Sequence, residues 1–326
     1  MNKPENVRLE VFKFNLSPRR QYNGTNTFRE VFIRKTESTE NIDNQTLFTN
    51  FFQHFIQTVD TEYQVLRNKA FTLINDGQTN FNSSNNTIFG VLEGGPLGEG
   101  KTRRRLSNKS DGNTLDGNVI NDKYFFYIYM PLDDSSGYIM FQIYQQDSIR
   151  YEFLNFIFKE IFRIEPDFNM PNYDPYFPQS IIDEFKSSAK VKEIKFTETV
   201  LSQQIDEAAS FTSINESYKI EVKVTPVRSN FGTQMLDTIL PPLFRKSFNN
   251  TNLSDFDNKK IVLQNRTTRR NATFDMDGVG DIMPRIYLYN RININAFGIP
   301  DFRELKNYCD ELLRNILDEE PTVDEI

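Results

Sequence analysis

Two adjacent runs, "KYFFYIYMP" (123–131) and "GYIMFQIYQ" (137–145), constrain what this chain can fold into more than any other feature. Both are dense in aromatic and β-branched residues, and only a short polar stretch separates them. Such runs form strands, and so short a connection permits only antiparallel pairing. The chain is therefore expected to build an antiparallel sheet around this hairpin.

The neighbouring segments fit that frame. "VRLEVFKFNL" (7–16) alternates as a strand does, with Val7, Leu9 and Val11 on one face. Phe12, Phe14 and Leu16 then follow on the opposite parity, so either the strand end is buried on both faces or a bulge near Val11 resets the alternation. "QTLFTNFFQHFIQTVD" (45–60) carries Leu47, Phe48, Phe51, Phe55 and Val59 at helical spacing, an apolar stripe that needs a partner surface. Strands are expected at 69–74 and 86–94, and a helix at 148–163 capped by Ser148.

Residues 165–180 hold four prolines, which rule out a continuing helix or a central strand, so this segment reads as a linker. Beyond it, strands are expected at 190–198, 217–227, 259–265, 268–275 and 282–290. A helix at 233–248 is interrupted by Pro241 and Pro242, and a final helix starts at Pro300. The expected fold class is α+β, with two mainly antiparallel halves, 1–164 and 181–326, each carrying one or two packed helices.

Hydrophobic residues make up only 38% of the 326, but 30 Phe and 14 Tyr offset this, because each buried ring removes a large area from water. The net charge of −7 is unevenly spread: residues 301–326 hold nine acids against three bases, leaving the rest of the chain close to neutral. Two basic clusters stand out in that neutral body, "KTRRR" (101–105) and "NRTTRR" (265–270). The charged opening "MNKPENVRLEVF" is no signal peptide and no apolar run is long enough to span a membrane, so a soluble, cytoplasmic protein is expected. One cysteine excludes an internal disulfide.

"GPLGEGKT" (95–102) satisfies the pattern of a phosphate-binding loop at every defined position. Such a loop needs a helix after it, whose N-terminal amides hold the phosphates. Here "RRRLSNKSDGNTLDGN" follows, with a single apolar residue before two glycines, and a helix that short and unanchored is not stable in water. The expected structure is instead a β-hairpin with a glycine-rich bend, whose second strand "KTRRRLS" is basic and exposed.

"TFDMDGVGD" (273–281) resembles, over six residues, the first motif of haloacid-dehalogenase phosphatases, in which Asp275 would be nucleophile and Asp277 acid–base. That motif ends a buried first strand and precedes a large core, whereas only 45 residues follow Asp281. An Asp-Gly turn between strands is the expected structure, although aspartates at alternate positions also suit a hard divalent cation.

"YKIEVKVTPV" (218–227) places Glu221 and Lys223 on one face of a strand and resembles the local form of a PD-(D/E)xK nuclease site. That resemblance implies a carboxylate on Mg²⁺ and a lysine orienting the attacking water, with a second acid from Asp206 or Asp183. "KEIKF" offers a competing pair, Glu193 and Lys195. The wet face of any strand in a charged protein yields the same spacing. The lone His54 excludes a two-histidine metal site, and Cys309, among apolar neighbours on the last helix, reads as a structural thiol.

The basic clusters carry the leading expectation: a non-enzymatic subunit that binds nucleic acid or a partner protein. Lys101, Arg103, Arg104, Arg105 and Lys109 would neutralise phosphates, joined by Arg266, Arg269 and Arg270 if the halves face each other. No cofactor or metal is expected in that case, and a metal-dependent nuclease built on Glu221, Lys223 and Asp206 is the alternative. The Asn-rich character suggests an accessory component of a bacterial antiphage system, with no motif behind it.

Overall fold

In the computed structural model the aromatic hairpin lies inside a nine-stranded antiparallel sheet. The structure describes residues 4–60, 62–74, 79–105, 107–144, 148–201, 217–227, 232, 236–248, 251–266, 271–275, 286–289 and 291–319. The strands that concern the sheet are β1 (Arg8–Pro18), β2 (Gln64–Leu66), β3 (Lys69–Leu73), β4 (Asn80–Asn82) and β5 (Thr87–Pro96). A separate pair, β6 (Thr102–Arg105) and β7 (Asn108–Thr114), precedes the hairpin β8 (Asp122–Tyr129) and β9 (Ser136–Ile143), and β10 (Phe168–Tyr176) follows. The order across the sheet is β10-β1-β9-β8-β5-β3-β2, with β4 beside β5 and a late strand, β17 (Ile286–Tyr287), beside β1. The fold is α+β.

Both faces of this sheet are covered, which explains why β8 and β9 read as unbroken apolar runs instead of alternating. Successive side chains of a strand point to opposite faces. Phe126 meets Phe55 of α2 (Asn44–Val59) and Phe153 of α3 (Arg150–Ile157), at centroid distances of 5.9 and 5.1 Å. Phe125 and Tyr127 point the other way, toward α6 (Phe302–Glu319). There Phe125 stacks on Phe302, and the Tyr127 hydroxyl donates to Asp310 Oδ1 at 2.8 Å. Burial, reinforced by the Asp310 charge, pushes the Tyr127 phenol pKa up.

The parity change in β1 has the same cause. Its register with β9 runs unbroken from Arg8 opposite Ile143 to Asn15 opposite Ser136, so no bulge lies at Val11. Leu9 and Val11 face one way and Phe12, Phe14 and Leu16 the other, all buried. Phe14 packs on Phe28 of α1 (Phe28–Thr36) at 5.4 Å, and on Phe158 and Phe162. Those last two lie in a π-helical turn (Phe158–Phe162) that continues α3. Phe32 of α1 stacks flat on Phe51 of α2, and the two helices are capped by Thr27 and Asp43. Burying each such ring is worth about 2–3 kcal/mol.

Residues 168–176, read from the sequence as linker, form the edge strand β10 paired with β1. An edge strand bonds on one side only, so prolines are tolerated there. Pro171 falls where the register shifts, opposite the stretch between Asn15 and Ser17. The chain accordingly divides into two units, Met1–Tyr176 with Arg285–Ile326, and Phe177–Pro284. The last helix belongs to the first unit because its apolar stripe, Leu305, Cys309, Leu312, Leu313 and Ile316, is buried there. Asp301 caps it, accepting from the amides of Arg303 and Glu304.

The second unit holds a four-stranded antiparallel sheet, in the order β12 (Ser217–Val224), β11 (Ala189–Leu201), β15 (Asn258–Asn265) and β16 (Asn271–Asp275). Helices α4 (Gln179–Ser188) and α5 (Leu236–Phe244) and a small hairpin, β13 (Ser247–Phe248) with β14 (Thr251–Asn252), complete it. Ile194 and Phe196 of β11 and Ile261 and Leu263 of β15 form its core with Leu253 and Phe256. Among the described residues no helix is long and apolar enough to cross a membrane.

Candidate nucleic-acid interface

β5 and β8 do not stop at the edge of the sheet. Beyond Pro96 the two chains stay together, with the Gly98 amide donating to Asn118 O at 2.8 Å and the Ile120 amide to Pro96 O at 3.0 Å. A turn at Gly100 follows, at φ +72°, its amide held by Asp116 Oδ1 at 2.8 Å. The ribbon then continues as β6 and β7, with Thr102 opposite Thr114, Arg103 opposite Asn113 and Arg104 opposite Gly112. The result is a two-stranded basic arm that, among the described residues, is paired only with itself.

The sequence pattern led to a different pairing, in which "KTRRRLS" returns across the glycines against the preceding strand. Both edges of β5 are already taken, by β3 and β4 on one side and β8 on the other. β6 pairs forward instead, with the polar stretch 108–114. Lys101, Arg103, Arg104 and Arg105 are all exposed. Alternation puts Arg103 and Arg104 on opposite faces of the ribbon, and the register shifts between Arg104 and Arg105. Arg105 is 76% exposed and pairs with Asp111 Oδ2 across the strands at 2.9 Å. Lys109 lies in β7, so residues 101–114 carry five cations against one aspartate.

The same geometry explains the phosphate-loop spelling. A strand follows Lys101, so there is no helix N-terminus to hold phosphates. The glycines serve close backbone approach: a Cβ on Gly95 would lie 2.0 Å from Ile120 O, and one on Gly98 would lie 2.4 Å from Leu115 O.

The remaining sequence candidates lie in the second unit. Arg266 is exposed just past β15, whereas Arg269 and Arg270 lie outside the described residues, as do Asp206 and Asp277. Asp275 ends β16. Glu221 and Lys223 share the exposed face of β12, while Ile220, Val222 and Val224 pack against the core of this unit. Lys223 stands opposite Lys195, and both pair with Glu193, at 3.5 and 3.2 Å. Partial burial works to raise the Glu193 pKa, but the hydrogen bond and charge of Lys195, with the charge of Lys223, hold it below the ordinary value. Lys223 is thus committed to an ion-pair cluster with Glu193. Among the described residues no group of three or more His, Cys, Asp or Glu side chains is placed to hold a metal ion.

His54 sits half-buried on α2, where burial, then the charge of Lys35, lowers its pKa. Burial raises the Cys309 thiol well above its ordinary pKa, which leaves it in the unreactive protonated form. A further basic group was not legible in the sequence. Arg67 and Lys69, at the β2–β3 turn, Arg8 of β1 and Arg150 of α3 line one cleft in the first unit. That turn is tied to the base of the arm, since Asn68 O accepts from the Leu97 amide at 2.9 Å.

No family model, curated protein or solved structure matches this chain.

Proposed function

We propose that this protein is a nucleic-acid-binding subunit that grips the sugar–phosphate backbone with the β6–β7 arm. The carrying observation is the exposure of Lys101, Arg103, Arg104 and Arg105 on a ribbon of two strands that, among the described residues, pair only with each other. A two-stranded ribbon has the width that the major groove of duplex DNA admits, and cations on both of its faces would meet phosphates on either groove wall. Asn113, exposed on the partner strand, adds a neutral donor. Backbone contacts of this kind give sequence-independent affinity, typically about 10⁻⁴–10⁻⁶ M at physiological salt.

The test is fluorescence anisotropy with labelled single- and double-stranded DNA and RNA, run with and without Mg²⁺. The expected result is salt-dependent binding with every strand left intact. Binding that ignores salt, or no binding at low salt, would overturn the reading. Cleavage in Mg²⁺ that disappears in Glu221→Gln would replace it with the nuclease alternative.

A further inference from the structure

Four cationic side chains from three separate parts of the chain meet in a cleft of about 330 Å³. Arg8 enters from the start of β1, Arg67 and Lys69 from the β2–β3 turn, and Arg150 from the first turn of α3. Two carboxylates partly offset them. Glu10 accepts from Arg150 and stands 3.6 Å from Arg8 Nε, and Glu152 lies 4.0 Å from Lys69 Nζ. Arg67 lies at the rim of the same cleft, where the Tyr151 hydroxyl accepts from its guanidinium at 3.3 Å. Burial, then repulsion from Arg8, lowers the Arg150 pKa against the opposing pull of Tyr173 and Glu152.

Two further features shape the cleft. The N-terminal turn of α3 opens onto it through Ser148, Arg150, Tyr151 and Glu152, so the positive end of the helix dipole faces in. Ile149 at the N-cap position supplies no side-chain cap, but Ser148 Oγ accepts from the Arg150 amide at 3.0 Å, in keeping with the capping role expected of Ser148. Arg67 holds φ at +59°, with its guanidinium 4.5 Å above the Tyr151 ring, and that contact fixes the charge at the rim. At the floor, Glu152 is 4% exposed and its Oε2 has no hydrogen-bond partner among the described residues. The Lys69 ammonium, which donates to Ser148 O at 2.6 Å, is too far away to satisfy it. Buried acceptors are nearly always hydrogen-bonded, so this oxygen is open to a donor from beyond the described residues.

We infer that the cleft binds a phosphate monoester: the dianion sits among Arg67, Lys69 and Arg150, and a hydroxyl of its carrier donates to Glu152 Oε2. A monoester carries about −1.5 to −2 at neutral pH, a charge that Arg67, Lys69 and Arg150 can share. A sugar phosphate fits the chemistry of both ends, whether as a free mononucleotide or as the phosphorylated end of a strand. The assignment does not rest on the arm.

The test is isothermal titration calorimetry on the full chain, with AMP against adenosine and a 5′-phosphorylated against a 5′-hydroxyl dinucleotide. Each phosphorylated probe should bind at least about tenfold more tightly than its counterpart, the scale of one charge-assisted hydrogen bond. Arg150→Gln should weaken the phosphorylated probes about tenfold or more. Arg67→Asn should do the same, and asparagine keeps the left-handed backbone at this exposed turn, so that variant carries the test if Arg150→Gln does not fold. Alanine at Arg103, Arg104 and Arg105 should leave AMP binding unchanged even where it abolishes binding of longer strands. A dinucleotide preferred over AMP assigns the strand end as ligand, and equal affinity assigns the free mononucleotide. Indifference to the phosphate, wild-type affinity in a folded Arg67→Asn protein, or loss of AMP binding in the arm variant would each overturn the inference.

Discussion

Replacing Arg103, Arg104 and Arg105 together by alanine should cut nucleic-acid affinity by an amount the arm itself sets. Three of the five cations in residues 101–114 disappear, and Asp111 loses its partner Arg105. On duplex DNA each neutralised phosphate contributes about 0.9 to the slope of log affinity against log salt, so three contacts contribute about 2.7. At a salt concentration of about 0.15 M that slope amounts to roughly two orders of magnitude in affinity, or about 3 kcal/mol. The fold should not notice, because all three side chains are exposed and such substitutions usually cost under about 0.5 kcal/mol each. The assay is anisotropy with a short duplex over a salt series, with circular dichroism and thermal melting as controls. Parallel salt lines for wild type and variant, with equal intercepts, would refute the assignment of the arm.

Gly95→Ala should destabilise the protein by about 1–3 kcal/mol or more in urea melts, because its Cβ would lie 2.0 Å from Ile120 O. Gly100→Ala, which meets no atom within 4 Å but sits at φ +72°, should cost only about 1 kcal/mol. A reversed order would contradict the ribbon geometry. Lys101→Ala should leave any ATP or GTP affinity unchanged by calorimetry; loss of nucleotide binding in this variant alone would restore the phosphate-loop reading. Glu193 has a folded pKa below its ordinary 4.5, so its ion pairs stabilise the fold above that pH, and the contribution fades as pH falls through the folded value. Urea melts across that acid range should show a shallower loss of stability in Glu193→Gln than in wild type, and identical slopes would remove the pair from the account.

The strands and helices were largely legible because their signals are local. Phe and Tyr runs marked β8 and β9, and the stripe from Leu47 to Val59 marked α2. Pairing partners are not local, which is why the sequence of β10 reads as linker: four prolines argue against a strand only where both sides must bond. The same limit hid the partner of β6, since nothing in "NKSDGNT" announces a strand until both edges of β5 are seen to be occupied. The basic arm was legible as a cluster because its residues are adjacent. Arg8, Arg67, Lys69 and Arg150 were not, because only the sheet and the first turn of α3 bring them to one cleft. Glu221 and Lys223 do share a face as the alternation implied, but Lys223 turned out to be engaged by Glu193 across the strands.

Amide hydrogen exchange of the wild-type protein, with and without a saturating duplex, reports directly on where nucleic acid contacts the chain. A two-stranded ribbon paired only with itself exchanges readily in the free protein. Bound nucleic acid should slow exchange in residues 101–114, while the aromatic strands 122–129 and 136–143 remain protected in both states. Binding that leaves 101–114 exchanging at the free rate, with protection arising elsewhere, would contradict the arm as the contact surface.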